Sequence, residues 1–224
     1  MLRPLMIIQE YTCPVCSNPV SSFMRPCSSC EEKIFRSRFE TCRFCAQDLA
    51  GSDSPCLVCR ENQPDIDGMK AIGGWNGPLR EWLSQFKYGG DTRMAEWLSE
   101  KLFALWKMEW EGIPLVPVPP RFKRIFTNGI DPVGLLASGM QKYNVPVLRL
   151  LRRHGNKTQK SLGRIERLSG STLKYSIKKN IPIAKCSYVL LDDVSTTGST
   201  MNVCAKLLKS AGASQVFGLL ICKD

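Results

Sequence analysis

The sequence has no apolar run near the roughly eighteen residues that a membrane-spanning helix needs. Its opening holds only a short apolar stretch at 5–8, too brief for a secretory signal core, with no small-residue cleavage site behind it. The expected location is the cytoplasm, without membrane insertion. Thiols stay reduced there, so closely paired cysteines mean metal more often than disulfide. Histidine is nearly absent. His154 is the single one and sits among Arg152, Arg153 and Gly155, a polar setting that suits a solvated or phosphate-contacting imidazole better than a general base.

Acids are missing from one long stretch. Residues 149–185 carry eleven Lys or Arg against the single acid Glu166, a surplus of ten in a chain of formal net charge +11. Two readings fit, a solvated basic loop that keeps the protein soluble or a flexible cover for a polyanion, either a pyrophosphate or a nucleic-acid backbone. The same stretch holds one aromatic, Tyr175. Binders of single strands that work by stacking interleave aromatics with basic residues. Any DNA bound here is therefore expected to be held by its phosphates, with little sequence preference and a steep salt dependence.

Cysteine, by contrast, is concentrated. Eight of the eleven lie between Cys13 and Cys59, as four Cys-x-x-Cys pairs: Cys13/Cys16, Cys27/Cys30, Cys42/Cys45 and Cys56/Cys59. The third and fourth pairs repeat the first and second at an offset of 29 residues, which reads as a duplicated unit. A two-residue gap lets both thiolates of a pair reach one ion, and two pairs complete a tetrahedral sulfur site with no open position. Two structural zinc ions are expected. Neighbouring pairs sharing an ion is the first assignment, and a cross-braced arrangement would use the same eight sulfurs. Cys186, Cys204 and Cys222 stand singly among apolar residues and read as small buried hydrophobes.

These observations divide the 224 residues into a double zinc-ribbon module at 1–62 and a larger domain at 68–224, joined by the polar, turn-rich 61–68. In the larger part, Met94, Trp97, Leu98, Leu102, Leu105 and Trp106 recur at helical spacing within 91–110, with Asp91 placed to cap. Strands are expected at 114–119, 145–150, 187–191 and 215–222, and helices at 131–143 and 199–211, the last stopped by Gly212. Strands alternating with helices predict an α/β fold with a mostly parallel sheet covered on both faces.

Residues 188–201 carry the most chemistry. An apolar strand delivers Asp192 and Asp193 at its C-terminal end, and Ser195, Thr196, Thr197, Gly198, Ser199 and Thr200 lead into a helix. Ligands of open parallel sheets bind at that edge. The loop can turn backbone N–H groups and hydroxyls toward one phosphate, Gly198 permits close approach, and the helix N-terminus favours negative charge. Acids beside a phosphate site repel the ligand unless they meet its hydroxyls or a metal. A ribose 5′-phosphate with Mg²⁺ satisfies both demands.

An apolar strand, two acids and a Thr-Gly-x-Thr-like loop resemble the signature of type I phosphoribosyltransferases. The cysteine pairs, Gly77-Pro78-Leu79-Arg80, Phe86-Lys87-Tyr88-Gly89, Val116-Pro117-Val118-Pro119, Gln159-x-x-Leu162 with Arg167, and the Asp192 loop together resemble the ComF family of competence-associated proteins over almost the whole chain. That resemblance implies a type I phosphoribosyltransferase-like fold, a Mg²⁺-dependent site for phosphoribosyl pyrophosphate (PRPP) or a related sugar phosphate, and a role with incoming single-stranded DNA in natural transformation. A competence helicase is an implied partner. It assigns Asp192 and Asp193 as the catalytic, ribose-binding acids and residues 195–200 as the 5′-phosphate loop. Val118, Pro119, Arg121 and Arg124 fall on the pyrophosphate side, and Lys157, Lys160, Arg164 and Arg167 in a mobile basic loop. Where the family continues Arg-Gly-Phe-Asn-Gln, this chain has Asn128-Gly129-Ile130-Asp131-Pro132, and Gly170 stands where the family has Asn. Two function classes remain: a PRPP-binding module that handles single-stranded DNA, and an active phosphoribosyltransferase of nucleotide salvage or base metabolism with no DNA role.

Overall fold

The computed structural model describes residues 11–21, 25–35, 40–49, 51, 54–74, 77–88, 94–120, 130–154 and 174–224. The N-terminal part is built twice. Strands β1 (Tyr11–Thr12) and β2 (Pro19–Val20) pair antiparallel with Thr12 opposite Pro19, and 29 residues on Thr41 bridges Asp48. The knuckle turns repeat bond for bond. Cys13 N donates to Asn18 O at 2.7 Å and Cys42 N to Gln47 O at 2.8 Å, while Ser17 and Ala46 both take left-handed backbone, φ 61° and 57°. A short helix follows the second pair of each copy, α1 (Ser28–Phe35) and α2 (Leu57–Asn62).

The remainder is an α/β layer structure. Its strands are β3 (Gly68–Gly74), β4 (Leu115–Pro117), β7 (Ser187–Ser195) and β8 (Gln215–Lys223), all parallel, in the order β3-β8-β7-β4. A second, antiparallel pair is formed by β5 (Leu151–Arg153) and β6 (Tyr175–Ile177). Helices α3 (Gly77–Tyr88), α4 (Ala95–Trp110) and α5 (Pro132–Gln141) pack on one face of the sheet, and α6 (Ser199–Ser210) on the other, giving two apolar clusters. The aromatic stripe on α4 is core, as its spacing predicts: Trp97, Leu98, Leu102 and Trp106 are all buried. Each such side chain contributes about 1.5 to 3 kcal/mol relative to exposure.

Several boundaries differ from the expectation. Helix α4 begins at Ala95, and Asp91 lies outside the described residues. The strand expected at 145–150 shrinks to one bridge, Val147 to Leu115, because Pro146 has no N–H for a ladder. The regular strand comes after it, as β5. β7 runs on through Ser195, so the two acids belong to the strand. The supposed connector at 61–68 overlaps the end of α2 and the start of β3.

The cysteine modules pack on this body. Arg25 reaches Glu100 at 2.5 Å, Lys101 pairs with Glu31, and Ile34 of α1 joins the α3–α4 cluster. Gly73 makes that approach feasible, since a Cβ there would lie 3.0 Å from Ile34 O and 2.8 Å from Leu79 Cδ2. On the other side, Met69 N donates to Arg43 O at 2.7 Å, and Ala46 packs with Ile66 and Met69. Asn202 on α6 ties the segment before β3 in place, its Oδ1 accepting from Asp65 N at 2.5 Å and its Nδ2 donating to Asp65 Oδ2 at 3.4 Å. Asn202→Ala strands the Asp65 amide. Its expected cost is about 1 to 3 kcal/mol, or about 2 to 4 °C in Tm per kcal/mol for a chain of this size, measured by thermal unfolding.

Candidate functional site

Side chains on a strand alternate between faces, and β7 shows what that does to adjacent acids. Val189 and Leu191 join the cluster under α3, α4 and α5, while Tyr188 and Leu190 join the α6 cluster. Continued, that period puts Asp192 on the α6 face and Asp193 on the opposite one, and it ends there, since Val194 packs against the α3–α5 cluster. Asp192 is half-buried, whereas Asp193 is only 6 % exposed. Each carboxylate braces the next residue: Asp192 Oδ1 accepts from Asp193 N at 2.8 Å, and Asp193 Oδ1 from Val194 N at 2.7 Å.

Ser195, the last residue of β7, is buried, and the loop is open to solvent only beyond it. Thr196, Thr197 and Ser199 are exposed, and Gly198, at φ 75°, is the residue before α6. The N-cap residue itself makes no side-chain bond to α6, and beyond Ser199 N, which Thr197 engages, the first-turn N–H groups suit an anionic ligand. Thr197 Oγ1 donates to Ser199 Oγ at 3.0 Å and accepts from Ser199 N at 3.3 Å, so the hydroxyls form a linked set. Lys223, at the end of β8, fixes the loop from below, its Nζ donating to Thr196 O at 2.5 Å. Nothing in the sequence marks Lys223; only the β7–β8 pairing of Ser195 with Lys223 brings it there.

The β5–β6 pair supplies a second wall. The Arg153 guanidinium donates to Tyr175 Oη at 2.5 Å and lies 4.9 Å over the same ring. Burial raises the Tyr175 pKa, with Arg153 opposing and Asp192 adding to it. Burial, with Asp192 beside it, likewise pushes the Cys204 thiol up to about 12. Cys204 is thus a protonated core residue and not a nucleophile, as its apolar neighbours predict. Cys222 is also fully buried, whereas Cys186 is only partly so. His154 Nε2 lies 2.7 Å from Ser176 Oγ, in the hairpin.

Where the sequence leads us to expect the pyrophosphate side, Val118 N donates to Leu191 O at 2.9 Å, placing Val118 and the half-buried Pro119 at the end of β4 beside β7. The Asp131-Pro132 departure from the family pattern has a local role: Asp131 Oδ1 accepts from Gly134 N at 2.9 Å and caps α5, with proline in its first turn. Arg121, Arg124, Lys157, Lys160, Arg164 and Arg167 lie outside the described residues.

The eight paired cysteines fall into two groups, Cys13/Cys16/Cys27/Cys30 and Cys42/Cys45/Cys56/Cys59, with the four sulfurs of each within 4.8 Å of one another. Neighbouring pairs share a group, which excludes the cross-braced arrangement. A tetrahedron with metal–sulfur bonds of about 2.3 Å has edges of about 3.8 Å. The separations of Cys16 from Cys27, 3.7 Å, and of Cys45 from Cys56, 3.8 Å, fit it. Both groups can hold a zinc ion.

A parallel sheet covered on both faces, with an acid pair, a hydroxyl loop and a helix N-terminus at its C-terminal edge, is a type I phosphoribosyltransferase-like fold. Here it carries two four-cysteine groups as well. No family model matches the chain. It is 32% identical over 197 residues to Competence protein ComFC of Streptococcus pneumoniae, covering 85% of this chain and 84% of that one. The identity is 28% over 207 residues to Competence protein F of Haemophilus influenzae, at 86% and 89% coverage. DNA utilization protein YhgH of Salmonella typhi is 26% identical over 221 residues, at 94% and 96%. The chain belongs to the ComF family. Among solved structures, the allosteric regulatory enzyme of purine biosynthesis matches 57% of this chain and 25% of its own at 21% identity and TM-score 0.41. A hypoxanthine phosphoribosyltransferase from Staphylococcus aureus matches 59% and 74% at 11% and 0.36. Among the described residues, no helix is long and apolar enough to cross a membrane.

Proposed function

We propose that the edge formed by Asp192, Asp193 and residues 195–200 binds PRPP with Mg²⁺, and that the protein acts in the cytoplasm on incoming single-stranded DNA. The observation that carries the first half is the exposed hydroxyl loop ahead of a helix whose N-cap is Gly198, next to a half-exposed carboxylate on the same face of the sheet. The loop and the α6 N-terminus take the 5′-phosphate, and Asp192 takes the ribose hydroxyls. The Val118–Pro119 end of β4, with Arg121 and Arg124, borders the pyrophosphate. Mg²⁺ bound with PRPP supplies neutralisation of the diphosphate charge. Zinc in the two four-cysteine groups is structural, and 1–62 and 68–224 act as module and ligand domain.

The second half rests on relatives named for competence and DNA utilization and on the basic surplus at 149–185. An active transferase would displace pyrophosphate from C1′ of the ribose, with positive groups stabilising the departing charge. The chain is tested by incubation with PRPP, Mg²⁺ and a panel of bases and nucleotides, with pyrophosphate release as readout. Binding by calorimetry without release supports the ligand-binding reading. Release with one acceptor and no affinity for single-stranded DNA supports the salvage enzyme and overturns the DNA role.

A further inference from the structure

The second cysteine module is tied to the hydroxyl loop at both of its ends. On the strand side, Gln47 and Asp48 of the knuckle stand against the ends of β3 and β8 and enclose a small hollow with Gly73, Gly74 and Lys223. Lys223 is also the residue whose Nζ donates to Thr196 O at 2.5 Å. On the helix side, Cys59 O accepts from Gln63 N at 3.1 Å where α2 ends. Shortly after, Asp65 N and Ile66 N both donate to Asn202 Oδ1, at 2.5 Å and 3.4 Å. Asn202 belongs to the first turn of α6, its own N bonded to Gly198 O at 2.9 Å.

Apolar packing runs the same way. A Cβ at Gly218 would lie 2.8 Å from Met201 Cε, 3.0 Å from Ile66 Cδ1 and 3.0 Å from Met69 Cγ, so these side chains converge over β8, and Ala46 of the knuckle shares their cluster. The first module packs elsewhere: Arg25 and Glu31 pair with Glu100 and Lys101 of α4, and Ile34 joins the cluster on the other face of the sheet. A small four-cysteine segment holds its shape through its metal. Loaded and empty, the second module is therefore a two-state element that differs in what it offers Asp65, Met69 and Lys223. A ligand seated on the loop at the far end of those ties biases the same equilibrium.

We propose that the second cysteine module regulates the sugar-phosphate site: with metal on Cys42, Cys45, Cys56 and Cys59, the positioning residues Asn202 and Lys223 hold residues 196–202 in the form that binds Mg²⁺-PRPP. The first module has no such effect. The inference rests on the PRPP half of the proposed function. Calorimetry with Mg²⁺-PRPP compares the full zinc-loaded chain with Cys59→Ser and Cys30→Ser, which each remove one ion. Cys59→Ser is expected to weaken binding about tenfold, a usual size for coupling between two sites, and Cys30→Ser to leave it within about twofold. Coupling is reciprocal, so a second measurement needs no variant: zinc transfer from the parent to a zinc-selective chromophoric chelator, with Mg²⁺ alone and with saturating Mg²⁺-PRPP. One ion of the two is expected to be held about tenfold more tightly with PRPP. Asn202→Ala, which keeps all eight sulfurs, is expected to cut that protection by about threefold. If Cys59→Ser fails to fold, zinc transfer decides alone. A parent that binds PRPP but transfers zinc alike with and without it overturns the regulation and leaves the site standing. Equal losses of PRPP affinity in the two cysteine variants overturn it as well, since general loosening of the fold is then the cause. A parent with no affinity for PRPP overturns the proposed site and the regulation together.

Discussion

Exchanging Asp192 and Asp193 together for Asn is expected to weaken Mg²⁺-PRPP binding by about two to four orders of magnitude, at about 1.5 to 3 kcal/mol for each charge-assisted hydrogen bond removed. The strand geometry divides the effect unequally. Asp192 is half-buried on the face that carries the loop, Tyr175 and Cys204, while Asp193 is 6 % exposed on the other. Asp192→Asn alone is expected to account for at least half of the loss in free energy, about tenfold to a hundredfold or more. Asp193→Asn keeps an oxygen for Val194 N and serves as the milder variant. Titration calorimetry beside thermal unfolding separates ligand loss from fold loss. Unchanged affinity in a folded double variant removes the pocket assignment.

Metal removal is the second large effect. Mass spectrometry is expected to find two zinc ions per chain, and Cys59→Ser to leave one. Chelation under reducing conditions is expected to unfold the segment around the cysteines, since structural zinc supplies about 10 to 16 kcal/mol of apparent folding energy in small domains. The metal-free thiols indicate the pH dependence. Burial raises Cys13, but N–H groups of Cys27, Cys16 and Val15 outweigh it and bring it down to about 6, and Cys42 falls to about 7 in the same way. Burial pushes Cys30 up to about 12 and Cys45 up to about 11. At neutral pH the Cys13 sulfur is largely anionic and the Cys42 sulfur about half so before an ion arrives, while Cys30 and Cys45 give up protons to it. Acidification through and below pH 6 to 7 is therefore expected to weaken binding, as protons compete for the thiolates. A chain with retained circular dichroism after full demetallation would sink the structural role.

The parts of this molecule that the sequence makes legible are those whose chemistry is local. Two thiols at a two-residue gap reach one ion whatever the surroundings, and the 29-residue repeat reappears down to matching left-handed residues at Ser17 and Ala46. The acid pair and hydroxyl loop are likewise contiguous, and Asp131-Pro132 announces α5. What the sequence hides is long-range. β3 reads Gly-Met-Lys-Ala-Ile-Gly-Gly, too rich in glycine to stand out, and it is a strand only because β8, far along the chain, pairs with it. The opposite faces of Asp192 and Asp193 follow from strand period, but only once β7 is known to extend past them. Arg149, Arg152 and Lys178 look in sequence like three members of a uniform basic run. Their meeting at one hollow, where β4 ends, needs the pairing of Arg152 with Ser176 across the β5–β6 hairpin.

The bond from Met69 N to Arg43 O has a consequence for the life of the chain. β3 is the outermost strand of the parallel sheet, and a bare outer strand is a template on which another chain can add itself. The second cysteine module lies along that rim as a guard. Newly made protein short of metal would present the rim open, so zinc starvation would appear as clumping of the polypeptide beside lost binding.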